Sequence, residues 1–322
     1  MGLPLVTIVI PCKNIDKYTK ECVRECLKLN YPNYEIIVLP DRENNATEFK
    51  TSLVKIVGTG AVTPGAKRNI AMKHAKGELI AYIDSDAYPK KNWLLNTIKY
   101  FDKDQVAAVT GPGITPPNDD PMRKASGYVY EVLTRFTSLA GRFSTTRAQE
   151  VDDAHSCNLI IKRKVLEEVK GWNEKYWPGE DTLLCNEILR RGYRIISAPD
   201  VVVFHHRKPL YKPHLVQVAR FGLHRGFFAK KYKGNSLKLR YFAPLLLLLY
   251  LIIGIIVSIF NSMLRLLFIL TIIAYIAYTL ILAMDVTKEK KLIPHVVVGT
   301  ILSQLTYGVY FMIGLIVPEL KR

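Results

Sequence analysis

The sequence predicts an α/β domain built on a mostly parallel sheet, followed by an all-α membrane region. Short β-branched runs alternate with helical segments over the first 240 residues, which is the pattern of a parallel sheet with helices on both faces. The rest is apolar: residues 241–322 hold 6 Lys/Arg and 3 Asp/Glu, whereas the whole 322-residue chain holds 45 and 28. A charged globular part and an almost uncharged tail are therefore expected.

Composition excludes several classes of protein. The long, almost uncharged tail excludes an ordinary soluble protein, and the apolar content of 49% excludes a disordered chain. The five cysteines are odd in number and include no Cys-x-x-Cys pair, so free thiols in a reducing compartment are expected. The N-terminus lacks the basic region and the long apolar run of a signal peptide. We therefore expect the globular part to lie in the cytosol.

The elements of the globular part follow from local patterns. β-branched and apolar runs predict strands at 6–10, 35–39, 79–83, 106–110 and 201–204. Helical spacing predicts helices at 19–29, 65–76, 92–101 and 182–191. In sheets of this kind ligands bind at the carboxyl ends of the strands, so functional residues are expected just after each strand.

Three apolar stretches fill the tail, at 242–260, 263–284 and 296–317. Each is close to the roughly 20 residues that cross a bilayer. The preceding block 207–240 contains ten Lys/Arg and no acid, which predicts that it lies on the cytoplasmic side. The chain would then cross three times and leave Lys321 and Arg322 outside, against the charge rule, unless the third stretch is re-entrant. The predicted domains are 1–206, a basic interfacial segment 207–240, and a transmembrane region 241–322.

Carboxylates at a strand end predict a metal site. Asp84 and Asp86 end the apolar run 79–83, and oxygen ligands of this kind suit Mg²⁺ or Mn²⁺, which could bridge a diphosphate. His205 follows the strand at 201–204 and is a candidate further ligand. A solvated turn and a structural histidine are the competing interpretations.

Two helix starts carry charged groups. Lys67 and Arg68 stand in the first turn of the helix that Gly65 opens, where cations and free N–H groups suit phosphate binding, although an ordinary surface helix has the same pattern. Glu180 and Asp181 precede the helix at 182–191, where one of them could act as a general base. Favourable interaction of two acids with the helix dipole is the alternative.

Together these pieces resemble the inverting glycosyltransferase family 2, which has the GT-A nucleotide-diphospho-sugar transferase fold. The ordered set of motifs is Val-Thr-Ile-Val-Ile-Pro11 with Asn14, Gly65-Ala-Lys-Arg-Asn69, Gly77 to Asp86, Asn158 to Arg163, Gly171-Trp-Asn-Glu174, Gly179-Glu-Asp181, Arg191-Gly-Tyr193 and His205. Each piece is weak, but the ordered set is highly specific and spans about two thirds of the chain.

The resemblance implies roles for individual residues. Pro11, Asn14 and Asp41 would line the nucleotide pocket, Asp84 would lie near the sugar and ribose, and Asp86 would bind the metal. Asp181 would be the catalytic base, supported by Glu180. The chain departs from many relatives after the second strand, where a single acid, Asp41, replaces an adjacent pair. A Gln-x-x-Arg-Phe segment, 217–221, is similar to a motif of processive synthases and would place Arg220 near the diphosphate; a basic juxtamembrane helix is the alternative.

The expected activity is metal-dependent hexosyl transfer from a UDP- or GDP-sugar to a lipid-linked or glycan hydroxyl, in a multi-pass protein of the cell membrane with its catalytic domain in the cytoplasm. Polyprenyl-phosphate glycosyl transfer, of the dolichyl-phosphate-sugar synthase type, and processive polysaccharide synthesis are the alternatives within the family. A non-enzymatic membrane scaffold would have lost its acidic residues. No nucleic-acid partner is expected from the net charge of +17, because the basic residues cluster beside the first apolar stretch, where membrane lipids account for them.

Overall fold

The computed structural model describes residues 2–43, 49, 51–102, 105–137, 139–144 and 147–320. The chain divides into two compact units: Met1–Pro116 with Ser138–His206, and Pro117–Thr137 with Arg207–Arg322. Residues 117–137 thus belong with the C-terminal unit, and the domain limits drawn from the sequence stay a prediction.

The first unit contains the strands. In chain order they are β1 (Val6–Pro11), β2 (Tyr34–Leu39), β3 (Val54–Ile56), β4 (Leu79–Tyr82), β5 (Ala87–Pro89), β6 (Val106–Thr110), β7 (Gly113–Ile114), β8 (Gln149–Glu150), β9 (Leu159–Lys162), β10 (Arg194–Ser197) and β11 (Val203–His205). Eight of them form one sheet in the order β3-β2-β1-β4-β9-β6-β10-β8, and a small sheet has the order β5-β11-β7.

The main sheet is mostly parallel, as the sequence predicted. β1 pairs in parallel with β2 and with β4, β2 with β3, and β6 with β10. β9 is inserted between β4 and β6 and runs antiparallel to both, and β8 is an antiparallel edge. Local pattern cannot predict this insertion, because pairing of β9 with its two neighbours depends on residues more than 45 positions away.

Ten α-helices are present among the described residues. They are α1 (Lys17–Cys26), α2 (Pro64–Met72), α3 (Trp93–Ile98), α4 (Pro121–Thr134), α5 (Arg163–Glu168), α6 (Glu180–Arg190), α7 (Lys212–Lys231), α8 (Leu239–Phe260), α9 (Ser262–Val286) and α10 (Ile293–Ile316). Short 3₁₀ turns occupy Ala140–Arg142, Ser156–Asn158, Gly234–Leu237 and Lys290–Leu292.

Local capping sets the starts of the helices that flank the first strands. The side chain of Asp16 accepts hydrogen bonds from the backbone N–H groups of Tyr18 and Thr19 at α1, and Thr63 accepts one from Ala66 at α2. The helices predicted at 65–76 and 92–101 end earlier, at Met72 and Ile98, because tight turns follow each of them.

One strand boundary was predicted wrongly. The last strand was expected at 201–204, with Val201 and His205 on one face, but β11 begins at Val203. Val201 belongs to a turn in which its N–H donates to the carbonyl oxygen of Ala198. His205 is nevertheless paired in the small sheet, opposite Ala87 of β5.

Alternating side chains of the main sheet fill two cores, one on each face. Ile8, Ile10 and Ile36 belong to the cluster on one face, and Val9 and Ile37 to the cluster on the other. Both clusters are fully buried, so the sheet is covered on both sides by helices, as a parallel sheet requires.

The second unit is helical. Three of its helical segments, Gly234–Phe260, Ser262–Val286 and Lys290–Ile316, are long and apolar enough to cross a membrane. They contain α8, α9 and α10, and they correspond to the three apolar stretches predicted from the sequence.

Candidate active site

The end of β4 carries the acidic residues of the predicted metal site. Asp84 and Asp86 follow β4 directly, and β5 then pairs with β11, so that Ala87 lies opposite His205. The Nε2 atom of His205 lies 3.3 Å from an Oδ1 of Asp86. Asp84, Asp86 and His205 each offer one ligand atom, and these atoms lie within 4.8 Å of one another. The small sheet therefore brings together three residues that are up to 121 positions apart in the sequence.

The donor set fits a divalent cation. Two carboxylate oxygens suit Mn²⁺ or Mg²⁺, and the imidazole nitrogen makes Mn²⁺ the better match. All three side chains are half-buried, so the cluster is partly accessible to solvent. Burial raises the pKa of Asp84 above its ordinary value, the nearby Arg68 lowers it, and the carboxylate of Asp86 raises it again.

Arg68 connects this cluster to the acidic pair on α6. Its guanidinium donates to Glu180 Oε1 at 2.7 Å, to Asp84 Oδ1 at 3.1 Å and to Ser156 Oγ at 2.8 Å. The same group lies 4.5 Å from the centroid of the Trp172 ring. Because Arg68 is only 2% exposed, these contacts hold its charge inside the protein between two acids.

Lys67 is buried as well, at 4% exposure, and its ammonium faces a different acid. Its Nζ atom lies 2.7 Å from Asp41 Oδ1, 2.6 Å from Thr59 Oγ1 and 3.2 Å from the carbonyl oxygen of Leu39. The sequence suggested phosphate binding by both cations of this helix. That role stays a prediction for Lys67 and Arg68, and their hydrogen bonds in the structure are to protein oxygens.

The residues predicted to line a nucleotide pocket meet at the carboxyl ends of β1 and β2. Pro11 ends β1, Asn14 lies between β1 and α1, and Asp41 follows β2. The N–H of Asp41 donates to the carbonyl oxygen of Lys13 at 3.0 Å, which fixes the two loops side by side. Their contact with a nucleotide stays a prediction.

The acidic pair forms the first turn of α6 rather than preceding the helix. Gly179 occupies the N-cap with φ of 102°, a conformation that glycine adopts without strain. Glu180 is 4% exposed and bound by Arg68; burial raises its pKa to about 7, while Arg68 acts in the opposite direction. Asp181 is half-buried, and its Oδ1 accepts from the N–H of Thr182 at 2.7 Å. Asp181 is thus the more accessible acid of the two.

Arg220 lies in α7 of the second unit and is exposed. Its expected role at a diphosphate stays a prediction. Gln217 of the same segment accepts a hydrogen bond from the hydroxyl of Tyr130 at 3.2 Å.

Sequence reasoning missed three supporting residues. Ser156 and Trp172 hold the guanidinium of Arg68, and the buried Asp153 pairs with Arg142 at 2.9 Å and accepts from Thr182 Oγ1 at 3.2 Å. Trp172 stood in a motif but without a role, and Ser156 carried no signal. Two adjacent acids, Asp152 and Asp153, were visible in the sequence and could have been flagged.

Comparison with known proteins gives consistent results. The model of the family "Glycosyl transferase family 2" matches residues 7–170. The glycosyltransferase AglE of Haloferax volcanii is 24% identical over 218 residues, which are 64% of this chain and 68% of that protein. A dolichyl N-acetyl-α-D-glucosaminyl phosphate 3-β-D-2,3-diacetamido-2,3-dideoxy-β-D-glucuronosyltransferase of Methanococcus voltae is 22% identical over 270 residues, 77% of this chain and 81% of that protein.

A solved structure shows the fold. The mannosyltransferase PcManGT from Pyrobaculum calidifontis, in complex with GDP-Man and Mn²⁺, has a TM-score of 0.65 and 20% identity, and the match covers 98% of this chain and 88% of that one. The mostly parallel sheet is therefore that of a GT-A fold, and a helical region with three apolar helices follows it. With more than half of its residues matched by the family model, the chain belongs to glycosyl transferase family 2 and is a glycosyltransferase.

Proposed function

We propose that this glycosyltransferase moves a sugar, with inversion, from a UDP- or GDP-sugar to a hydroxyl of a lipid-linked glycan at the cytoplasmic face of a membrane. The observation that carries the proposal is the cluster of Asp84, Asp86 and His205, connected through Arg68 to the acidic first turn of α6. A solved structure with the same fold was obtained with GDP-Man and Mn²⁺, which supports a nucleotide-sugar donor.

Asp84, Asp86 and His205 would hold Mn²⁺ or Mg²⁺. When bound, the cation supplies positive charge that offsets the charge developing on the diphosphate leaving group. Arg68 acts differently, because it keeps the carboxylates of Asp84 and Glu180 in fixed positions and compensates their charge.

Asp181 would act as the general base. The acceptor oxygen forms a bond to the anomeric carbon while the bond from that carbon to the diphosphate oxygen breaks. The hydroxyl proton passes to the carboxylate of Asp181, and the nucleoside diphosphate leaves with the bonding electrons. Attack from the side opposite the leaving group inverts the anomeric centre. Asp181 suits this role better than Glu180, because Glu180 is buried and already paired with Arg68.

The acceptor is assigned to a lipid because three helical segments of the second unit are long and apolar enough to cross a membrane. The name of the Methanococcus voltae relative describes glucuronosyl transfer to a dolichyl-phosphate-linked N-acetylglucosamine, which is an acceptor of this class. A hydroxyl acceptor needs a base, whereas a polyprenyl phosphate is already an anionic nucleophile.

The Asp181→Asn variant tests this assignment. The substitution keeps the size of the side chain and its ability to accept a hydrogen bond from Thr182, so the fold and donor binding should survive. We expect kcat to fall about a hundred- to ten-thousandfold, the usual effect of losing a general base. The assay supplies a panel of nucleotide sugars and lipid-linked glycans to reconstituted protein and measures the nucleoside diphosphate released, with and without Mn²⁺.

A matched control lies on the same helix. Glu187 is an exposed acid of α6 that pairs with Arg190 and Arg191, so Glu187→Gln should leave kcat unchanged. Near wild-type turnover of Asp181→Asn with a sugar acceptor would remove Asp181 as the base. If turnover survives only with a polyprenyl phosphate, the phosphate-acceptor alternative replaces the proposed acceptor.

A further inference from the structure

The second unit contains a helical hairpin. The hydroxyls of Tyr250 and Thr271 share a hydrogen bond, Arg265 Nε donates to the carbonyl oxygen of Ser258 at 3.0 Å, and Gly254 packs against the ring of Phe268. Since α8 and α9 are joined only by Asn261, these contacts make them antiparallel. At 1.5 Å per residue they measure about 33 and 37 Å, enough to cross a hydrocarbon core of about 30 Å. The first residue of α8 and the last residue of α9 therefore lie at the same end of the hairpin, called here the base.

The third apolar helix, α10, begins at this base. Val296 in its first turn belongs to one buried cluster with Ala283 and Val286 at the end of α9. Farther along α10, Gln304 accepts a hydrogen bond from Tyr275, which lies 11 residues before the end of α9. Up to this point α10 could be entering the membrane.

The later residues of α10 contact the beginning of α8. A Cβ on Gly308 would lie 2.5 Å from the carbonyl oxygen of Pro244, and the ring of Phe311 lies 4.8 Å from that of Phe242. As α10 advances from 308 to 311, its partner on α8 moves back from 244 to 242. If α10 crossed the membrane from the base alongside α8, the two helices would be parallel, and successive residues of α10 would contact successively higher residue numbers of α8. The first turn of α10 and its later residues 308–311 thus both lie near the base.

A charged helix runs along α10. His214 Nε2 lies 2.9 Å from Ser303 Oγ, Gly226 packs against the backbone of Phe311, and Lys230 donates to the carbonyl oxygen of Val317. This helix, α7, contains five Lys/Arg: Lys212, Arg220, Arg225, Lys230 and Lys231. A charged side chain at the centre of a bilayer is strongly unfavourable. If α10 crossed the membrane, it would take α7 and this charge into the hydrocarbon.

The part of the hairpin farthest from the base is exposed and apolar. Its exposed side chains include Ile252, Ile256, Phe260, Leu264, Leu267 and Ile273. Fewer large apolar side chains of α10 are exposed, namely Val298, Leu302, Tyr310, Ile313 and Ile316, so most of the surface that lipid tails can cover among the described residues belongs to α8 and α9.

We propose that α8 and α9 alone cross the bilayer, and that α10 lies with α7 at the membrane surface on the side where α8 begins. The C-terminus then returns to that side, with residues 1–238. The five cations of α7 lie at the level of the lipid headgroups, where anionic phosphates neutralise them. The arrangement also places the end of α10 on the same side as the basic block 207–240 and the lysines at 288, 290 and 291. The proposal rests on the membrane anchoring in the proposed function and not on its chemistry.

Cysteine labelling in oriented membrane vesicles tests the topology. Single cysteines replace Lys238, Ser262, Lys288 and Glu319, all of which are exposed, and a membrane-impermeant maleimide is applied from one side. The five native cysteines are buried, and the parent chain gives the background. We expect positions 238, 288 and 319 to react from one side and position 262 from the other, with all four reacting after permeabilisation.

The outcomes separate this proposal from the proposed function. If position 319 is labelled from the same side as position 262 and from the side opposite to position 238, α10 crosses the membrane and the proposal is wrong. Membrane anchoring and sugar transfer, which belong to the proposed function, are then unaffected. If positions 262 and 238 are labelled from the same side, the hairpin does not cross the membrane. Both the proposal and the membrane anchoring in the proposed function are then wrong. Labelling of position 319 from both sides would also contradict the proposal, because the end of α10 would then not lie on one side of the membrane only.

Discussion

Replacing Arg68 by Met should destabilise the first unit more than any surface charge change. The guanidinium is fully buried and bonds Glu180, whose side chain is 5% exposed, at 2.7 Å. Removing one partner of a buried pair leaves an uncompensated charge and costs about 3 to 5 kcal/mol. The second pair, with Asp84, adds little, because the Asp84 side chain is 31% exposed and water screens it. At about 2 to 4 °C per kcal/mol for a unit of this size, Tm should fall by about 6 to 20 °C.

The loss should depend on pH. Burial already raises the pKa of Glu180 to about 7, and removing Arg68 raises that pKa further above its unfolded value. A group with a raised folded pKa contributes stability that is present below the unfolded pKa and is lost as the pH rises through the folded pKa. The difference in Tm between wild type and Arg68→Met should therefore be smaller at about pH 5 than at about pH 8.

The assay is thermal unfolding of the purified full chain in detergent, followed by the fluorescence of its tryptophans. Arg190→Met is the matched control, because its pair with Glu187 is exposed and worth less than about 1 kcal/mol. The double variant Arg68→Met with Glu180→Gln removes both charges and should regain most of the lost Tm. A Tm for Arg68→Met no lower than that of Arg190→Met, or a double variant that regains nothing, would refute the reasoning.

Three further predictions concern the metal cluster and the helix pair. Asp86→Ala should abolish Mn²⁺-dependent binding of a nucleotide sugar, measured by calorimetry, and should leave the Tm of the metal-free protein unchanged. An unaltered Mn²⁺ dependence of binding would contradict the role of Asp86 as a ligand. His205→Ala should weaken Mn²⁺ binding about tenfold or more in the same titration but not abolish it, because Asp84 and Asp86 remain as ligands. Equal Mn²⁺ affinity of the variant and the wild type would exclude His205 as a ligand. Gly226→Ala should lower the Tm of the second unit, since its Cβ would lie 2.1 Å from the carbonyl oxygen of Phe311, whereas Val216→Ala, on the exposed face of α7, should change it little.

Much of the fold was present in local sequence pattern. The strands β1, β2, β4 and β6 were placed within a residue or two, because a strand buried on both faces of a parallel sheet is a continuous apolar run. The three apolar helices were equally clear, since length and absence of charge suffice to identify them. Asp84 and Asp86 could be selected because they follow such a strand.

Only the tertiary structure determined which distant residues and strands contact one another. His205 joins Asp86 only through the pairing of β11 with β5, and β9 enters the sheet antiparallel. Arg68 was predicted to bind phosphate, with an ordinary surface helix as the alternative; in the structure it is buried between Asp84 and Glu180, which lies 112 residues farther along the chain. The direction of α10 relative to α8 was likewise open, because its apolar composition is compatible with both crossing and turning back. Periodicity and composition report how a segment meets apolar surroundings, whereas pairing between distant segments depends on shape and charge that only the folded chain brings together.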